Sequence, residues 1–306
     1  MSKVKNIFHI IIYVLIFYII RISTIIEAAV ITSPIKNDAK WSIKESPYFI
    51  ENTLIIEKGA TLIIEPDVKV IFKKISSENK INLIVYGAIN AVGQKNNNIV
   101  FTSDYPVSGA WGGIIFENND NQVKSEVSYC RIEYAACGIG CFKSSPVIKN
   151  NIFSFNEVAI VCENRASPII DNNFLTENGV FRSIPGGISC ALYSDPKITN
   201  NIIEKNKGYG ICASTYSRPI ISNNIIRQVW GRGIVVFSNA LPLIMNNEIY
   251  SNRSYGIVSF QSSPVITGNN IYKNMNSGII ALLGSSPSIN NNLIHENGTG
   301  INSIYP

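Results

Sequence analysis

One short motif is repeated seven times in the C-terminal half of the chain, and this repeat restricts the possible folds more than any other feature. Each copy has a proline, an isoleucine at plus two, an asparagine at plus five and a large apolar residue at plus seven. Six copies have a second asparagine at plus ten. The prolines are Pro146, Pro168, Pro196, Pro219, Pro242, Pro264 and Pro287, which are 22, 28, 23, 23, 22 and 23 residues apart. A period between about 20 and 50 residues indicates a solenoid.

A unit of this length can form three short strands joined by three corners. When such units stack, each strand pairs with its equivalent about 4.8 Å above and below, and equivalent positions form columns. The plus-two isoleucines then form a continuous internal row. A buried amide without a partner costs about 1–3 kcal/mol, so each plus-five asparagine must bond corner backbone or the next asparagine. We therefore predict a parallel β-solenoid of about 11–12 coils.

Upstream of the repeat, short apolar runs rich in β-branched residues alternate with turn residues, which is typical of strands. The runs 59–68, 99–103 and 111–114 resemble the entry coils of bacterial right-handed parallel β-helix repeat proteins. The Pro-x-Ile-x-x-Asn repeats resemble the same superfamily, which includes pectate-lyase-like proteins and periplasmic accessory proteins of nitrous oxide reductase. The resemblance implies an all-β fold class, a right-handed parallel β-helix solenoid. It implies little about function, because such coils serve lyases, hydrolases, epimerases and adhesins.

The N-terminus has the pattern of an export signal. Lys3 and Lys5 precede an apolar run at 7–20 that ends at Arg21, and small residues follow. An uncleaved anchor is the alternative, and membrane contact is expected only through this segment. The predicted location is periplasmic, extracellular or on the cell surface. The predicted divisions are a signal at 1–29, a lead-in or N-terminal cap at 30–48, less regular coils at 49–144 and regular repeats at 145–306.

The net charge of +5 is mild and no block of like charges occurs, so we expect no nucleic-acid partner. Three cysteines follow a closing isoleucine by two residues and should stack inward in one column. Three interpretations of these cysteines are open: small buried core residues, disulfides between adjacent coils after export, or metal ligands. Their spacing matches no zinc pattern, and no cofactor is expected. The six cysteines are Cys130, Cys137, Cys141, Cys162, Cys190 and Cys212.

Acidic residues on the repeats are scattered and give no paired carboxylates for glycoside hydrolysis. We find no motif of polygalacturonases or pectate lyases. An enzyme remains possible through the less regular coils, where acidic side chains can converge out of sequence order. Those candidates are Asp67, Asp104, Glu117, Asp120 and Glu133.

One corner of the repeat carries basic and aromatic residues in consecutive coils, beside a copy with about five extra residues. Loops and corners on a rigid scaffold are where solenoids place function. Aromatic rings with guanidinium groups suit a polysaccharide or cell-envelope glycan, through stacking and charge-assisted hydrogen bonds. An ordinary solvated corner is the alternative. The predicted binding residues are Phe181, Arg182, Lys207, Tyr209, Trp230, Arg232, Arg253 and Tyr255.

The sequence thus predicts an exported β-helix protein that binds polysaccharide or acts at the cell surface without catalysis. A polysaccharide lyase, hydrolase or epimerase on the same scaffold is the second interpretation, and a structural adhesin-type rod is the third. After the last closing pair, Gly300-Ile301, the sequence shows no capping helix. An open β-edge invites pairing, so a partner or self-association is expected at this coil.

Overall fold

The computed structural model describes residues 28–75, 79–118, 124–180 and 185–304. The predicted export signal lies almost entirely outside these ranges. Within them, no helix combines the length and the apolar character needed to cross a membrane.

Three parallel sheets run along the rod, and each coil adds one strand to each sheet in turn. In the described ranges, the first sheet has 11 strands: Ala39–Trp41, Thr61–Ile64, Ala88–Val92, Glu126–Ser128, Val147–Lys149, Ile169–Asp171, Lys197–Thr199, Ile220–Ser222, Leu243–Met245, Val265–Thr267 and Ser288–Asn290. The second has 12: Ala29–Ile31, Tyr48–Ile50, Lys69–Phe72, Ile99–Ser103, Cys130–Glu133, Ile152–Ser154, Phe174–Thr176, Ile202–Glu204, Ile225–Arg227, Glu248–Tyr250, Asn270–Tyr272 and Leu293–His295. The third has 11: Leu54–Ile56, Asn82–Val85, Gly113–Glu117, Cys137–Phe142, Val158–Glu163, Pro185–Cys190, Tyr209–Ala213, Ile234–Phe237, Ile257–Phe260, Ser277–Leu282 and Thr299–Ile304. A 3-10 helix at Ile43–Glu45 is the helical element of these ranges. The predicted all-β parallel solenoid is confirmed.

Parallel pairing in register turns the sequence repeat into columns. The plus-two isoleucines Ile148, Ile170 and Ile198 pair directly across coils, and all are fully buried. The third-sheet strand Pro185–Cys190 shifts register against Tyr209–Ala213 between Pro185 and Ile188.

The plus-five asparagines form a continuous hydrogen-bonded ladder through the core edge. The Oδ1 atom of Asn224 accepts the backbone N–H and the Nδ2 of Asn201, at 2.9 and 3.0 Å. Its Nδ2 donates to the Ile198 carbonyl and to Asn247 Oδ1. The predicted requirement that each buried amide bond backbone and its neighbouring asparagine is met.

A second ladder follows the plus-ten position and is interrupted at one rung. Asn178 and Asn206 are linked on one side of the gap, and Asn252 and Asn274 on the other. Val229 occupies the gap, fully buried, and its N–H donates to Asn252 Oδ1 at 3.1 Å.

The residue directly before each ladder position has a left-handed backbone conformation, which allows a tight corner. Asn223 (φ 56°) and Gln228 (φ 55°) are examples, and the equivalent residues of every repeat share this conformation. Asparagine tolerates this conformation, which explains its frequency at plus four. The closing glycines have a different cause: a Cβ on Gly233 would lie 2.6 Å from the carbonyl oxygen of Gly256 in the next coil.

The cysteine column stands as predicted. Cys141 pairs with Cys162 and Cys162 with Cys190 on adjacent third-sheet strands, and all three are fully buried. They are free thiols, and the contact with Cys141, together with burial, raises the pKa of the Cys162 thiol. Among the described residues no three His, Cys, Asp or Glu side chains could together hold a metal ion. The arrangement supports the buried-core interpretation.

The last described coil exposes part of the interior row. Ile301 is 56% exposed, whereas its partner Ile279 in the preceding coil is fully buried. Self-association at this coil remains a prediction.

Candidate functional site

The corner between the second and third sheets brings the predicted basic and aromatic residues into two adjacent columns. In the first column, the Arg232 guanidinium lies over the Tyr209 ring, 5.4 Å from its centroid, and Arg232 Nη1 donates to the Tyr209 hydroxyl at 3.3 Å. In the second column, the Arg253 guanidinium lies 4.7 Å from the centroid of the Trp230 ring. We call these two columns, which also contain Lys207 and Tyr255, the basic corner.

The remaining predicted residues are placed less tightly. Lys207 lies one coil before Trp230, and its backbone N–H donates to the Asn178 carbonyl. Tyr255 lines a shallow cleft of about 320 Å³ with Met275 and Asn276. Phe181 and Arg182 lie outside the described residues.

The cations of the basic corner have no carboxylate partner among the residues that the structure describes. Within the described part of the chain, Lys207, Arg232 and Arg253 form no ion pair, whereas Arg218 lies 2.9 Å from Asp195. The guanidinium groups also cover ring faces that a sugar would otherwise stack on. The corner therefore favours recognition by charge and hydrogen bonding over ring stacking.

A second polar row lies on the outer face of the second sheet and was not predicted from the sequence. It follows the plus-eight position, where the residue type changes from coil to coil and gives no repeated signal. Arg227 lies 2.6 Å from Glu204 and donates to the Tyr250 hydroxyl at 2.7 Å. Tyr250 stacks on Tyr272 at 4.8 Å, and Tyr272 stacks on His295 at 5.1 Å.

The environment of Tyr272 in this row favours its neutral form. The Tyr272 hydroxyl donates to Glu248 Oε1 at 2.7 Å, and burial, together with this hydrogen bond, raises the pKa of Tyr272 to about 12. A phenol with a raised pKa is a poor general base near neutral pH.

The acidic candidates of the less regular coils are held by separate partners. Asp67 accepts from Asn97 Nδ2, and Asp104 accepts the Lys74 backbone N–H at 2.9 Å. The remaining candidates have other partners or locations. Glu133 pairs with Arg131, and Glu117 lines a cleft on another corner. Asp120 lies outside the described residues.

Two family models match the chain in sequence. Residues 34–134 match a pectate-lyase-like β-helix domain, and residues 175–305 match a right-handed β-helix region. This chain is a right-handed β-helix repeat protein. The match confirms the family resemblance carried by the Pro-x-Ile-x-x-Asn repeats.

Among solved structures, this β-helix repeat protein is similar to mutants of the periplasmic alginate epimerase AlgG. One single mutant is 16% identical with a TM-score of 0.54, covering 90% of this chain and 77% of that chain. A double mutant is also 16% identical, with a TM-score of 0.50 and coverage of 85% and 76%. At this identity the likeness shows the shared fold alone. No curated protein matches the sequence.

Proposed function

We propose that this protein is exported and binds an acidic polysaccharide along the basic corner without catalysing its turnover. The observation that carries the proposal is the set of three cations, Lys207, Arg232 and Arg253, that lie in consecutive coils without a carboxylate partner among the described residues. Cations that have no carboxylate partner and lie beside aromatic rings are suited to recognise the carboxylates of a ligand.

The solenoid supplies a matching period. Successive coils are about 4.8 Å apart, which is close to the advance of one sugar in an extended 1,4-linked uronate chain. A polyuronate lying along the rod would therefore place about one sugar beside each coil, and the carboxylates that turn towards the basic corner could meet Lys207, Arg232 or Arg253. A hydrogen bond to a charged group contributes about 1.5–3 kcal/mol, and exposed charges are screened by salt.

The acid–base groups of the second sheet argue against turnover. Inverting C5 of a uronate requires a proton acceptor and a proton donor on opposite faces of the sugar ring. Tyr272 and His295 instead stack in parallel on one sheet face, with an interplanar angle of 2°. The alginate epimerase neighbours keep epimerisation as the second candidate, because they show that the same scaffold can carry it.

Retention on immobilised alginate and polygalacturonate tests the proposal. We expect R232Q/R253Q to lose retention that the parent keeps in low salt, while circular dichroism stays unchanged. R218Q is the control for the loss of an arginine elsewhere, because Arg218 is exposed and already paired with Asp195. Equal retention of both variants would overturn the proposal. In the same samples, unsaturated products absorbing in the ultraviolet would indicate a lyase, and a changed mannuronate-to-guluronate ratio by NMR an epimerase.

A further inference from the structure

A different corner, between the third and first sheets, carries its own column of large side chains. The column lies three residues before each proline and contains Lys143, Arg165, Tyr193, Tyr216 and Asn239, all in left-handed backbone with φ of 51, 63, 62, 61 and 61°. All five residues are exposed.

Two tyrosines and an arginine of this column are in contact. Tyr193 and Tyr216 stack at 5.3 Å with an interplanar angle of 7°, and remain 52% and 49% exposed. The Arg165 guanidinium lies 5.7 Å from the Tyr193 centroid. The stack supports Tyr193, which forms one wall of a cleft at this corner.

A cleft of about 520 Å³ opens beside this wall. Lys143 and Arg165 supply two positive charges, and neither forms an ion pair within the described part of the chain. Glu117 supplies one negative charge, and Asn118 and Asn164 supply amides that both donate and accept hydrogen bonds. The net charge of the lining is therefore positive.

Apolar side chains complete the cleft. Phe142 and Leu192 line it together with Tyr193, and Leu192 is exposed. A few apolar surfaces with convergent polar groups are typical of a small-molecule site. A sugar ring matches this pattern, since one face presents C–H groups and its rim presents hydroxyls.

We propose that this cleft binds an anionic sugar, with its carboxylate at Lys143 and Arg165 and its hydroxyls at Glu117 and the two amides. The volume and the number of polar groups suit one or two sugar units. The cleft lies on a different corner from the basic corner, so the proposal stands independently of the proposed function. Together the two sites would let one rod hold two chains, or two segments of one chain.

Isothermal titration calorimetry with trisaccharides of galacturonate and of mannuronate tests this proposal, with neutral maltotriose as the reference sugar. We expect K143Q/R165Q to lose one binding site, or about tenfold or more in affinity for it, and maltotriose to bind no variant. Glutamine suits both positions because Gln228 already adopts the same backbone conformation in this chain, with φ of 55°. R218Q serves as the control for the loss of an exposed cation outside the cleft.

Two outcomes would overturn the proposal: no acidic trisaccharide binds the parent, or K143Q/R165Q keeps the parent's stoichiometry and affinity. The variant R232Q/R253Q separates the two sites. If it loses no binding while K143Q/R165Q does, the basic corner fails and the cleft stands.

Discussion

Removing one rung of the plus-five ladder should destabilise the rod far more than removing a neighbouring asparagine. In Asn224→Ala, the Asn201 backbone N–H loses its acceptor. Three further bonds are lost: the one from Asn201 Nδ2 and the donations to Ile198 and Asn247. An unpaired buried N–H costs about 1–3 kcal/mol and each lost bond about 0.5–1.5 kcal/mol, so the free energy of unfolding should fall by about 2.5–7.5 kcal/mol.

Urea unfolding followed by circular dichroism measures this loss, and hydrogen exchange locates it. We expect the Asn201 amide to exchange faster in Asn224→Ala than in the parent. Asn223→Gly is the matched control, because Asn223 is exposed and its φ of 56° suits glycine. This control should stay within about 0.5 kcal/mol of the parent. If Asn224→Ala did the same, with the Asn201 amide still protected, the ladder would not be stabilising the rod in the way described.

Three further predictions concern the broken ladder, the second-sheet tyrosines and the thiol column. Val229→Asn should raise the free energy of unfolding by about 1 kcal/mol, because the Oδ1 atom of the new asparagine can accept from Asn206 and rejoin the two ladder segments. A lower urea midpoint would contradict this. Because the folded state raises the pKa of Tyr272 from 10.0 to about 12, stability should be retained below pH 10 and fall as the pH rises towards 12. The fall should shrink in Tyr272→Phe, and an unchanged pH profile would argue against this residue as the cause. Buried Cys162 should resist a thiol reagent in the native protein and react after denaturation without reductant; reaction only after reduction would reveal a disulfide.

The sequence predicted the fold well because, in a parallel solenoid, residues one repeat apart in sequence lie directly above one another in adjacent coils. Positions at a fixed distance from the repeat prolines form columns. The isoleucine row, the asparagine ladder and the column of Cys141, Cys162 and Cys190 could therefore be assigned from the sequence. The closing glycines could be aligned but not explained, since their cause is the close approach of Gly256 to Gly233 in the next coil.

The candidate sites were harder to predict because outward columns are not constrained by packing. The basic corner was found because its residues align on the closing glycine. The stack of Tyr193 and Tyr216 was missed although both lie three residues before a proline, where alignment alone would have shown it. Which ring faces remain open could not be predicted, because the sequence does not show that Arg253 lies over Trp230.

The asparagine ladder also has a consequence for how such a chain can change in length. Asn173 and Asn201 are 28 residues apart, yet their bonds of 2.9 and 3.0 Å match those of Asn201 and Asn224, 23 residues apart. Each rung therefore recognises only the next rung and is insensitive to what the intervening corner contains. Recombination between two copies would remove or duplicate a whole coil and leave every bond of the ladder satisfied. The coil number can thus vary as a unit, and with it the length of the rod.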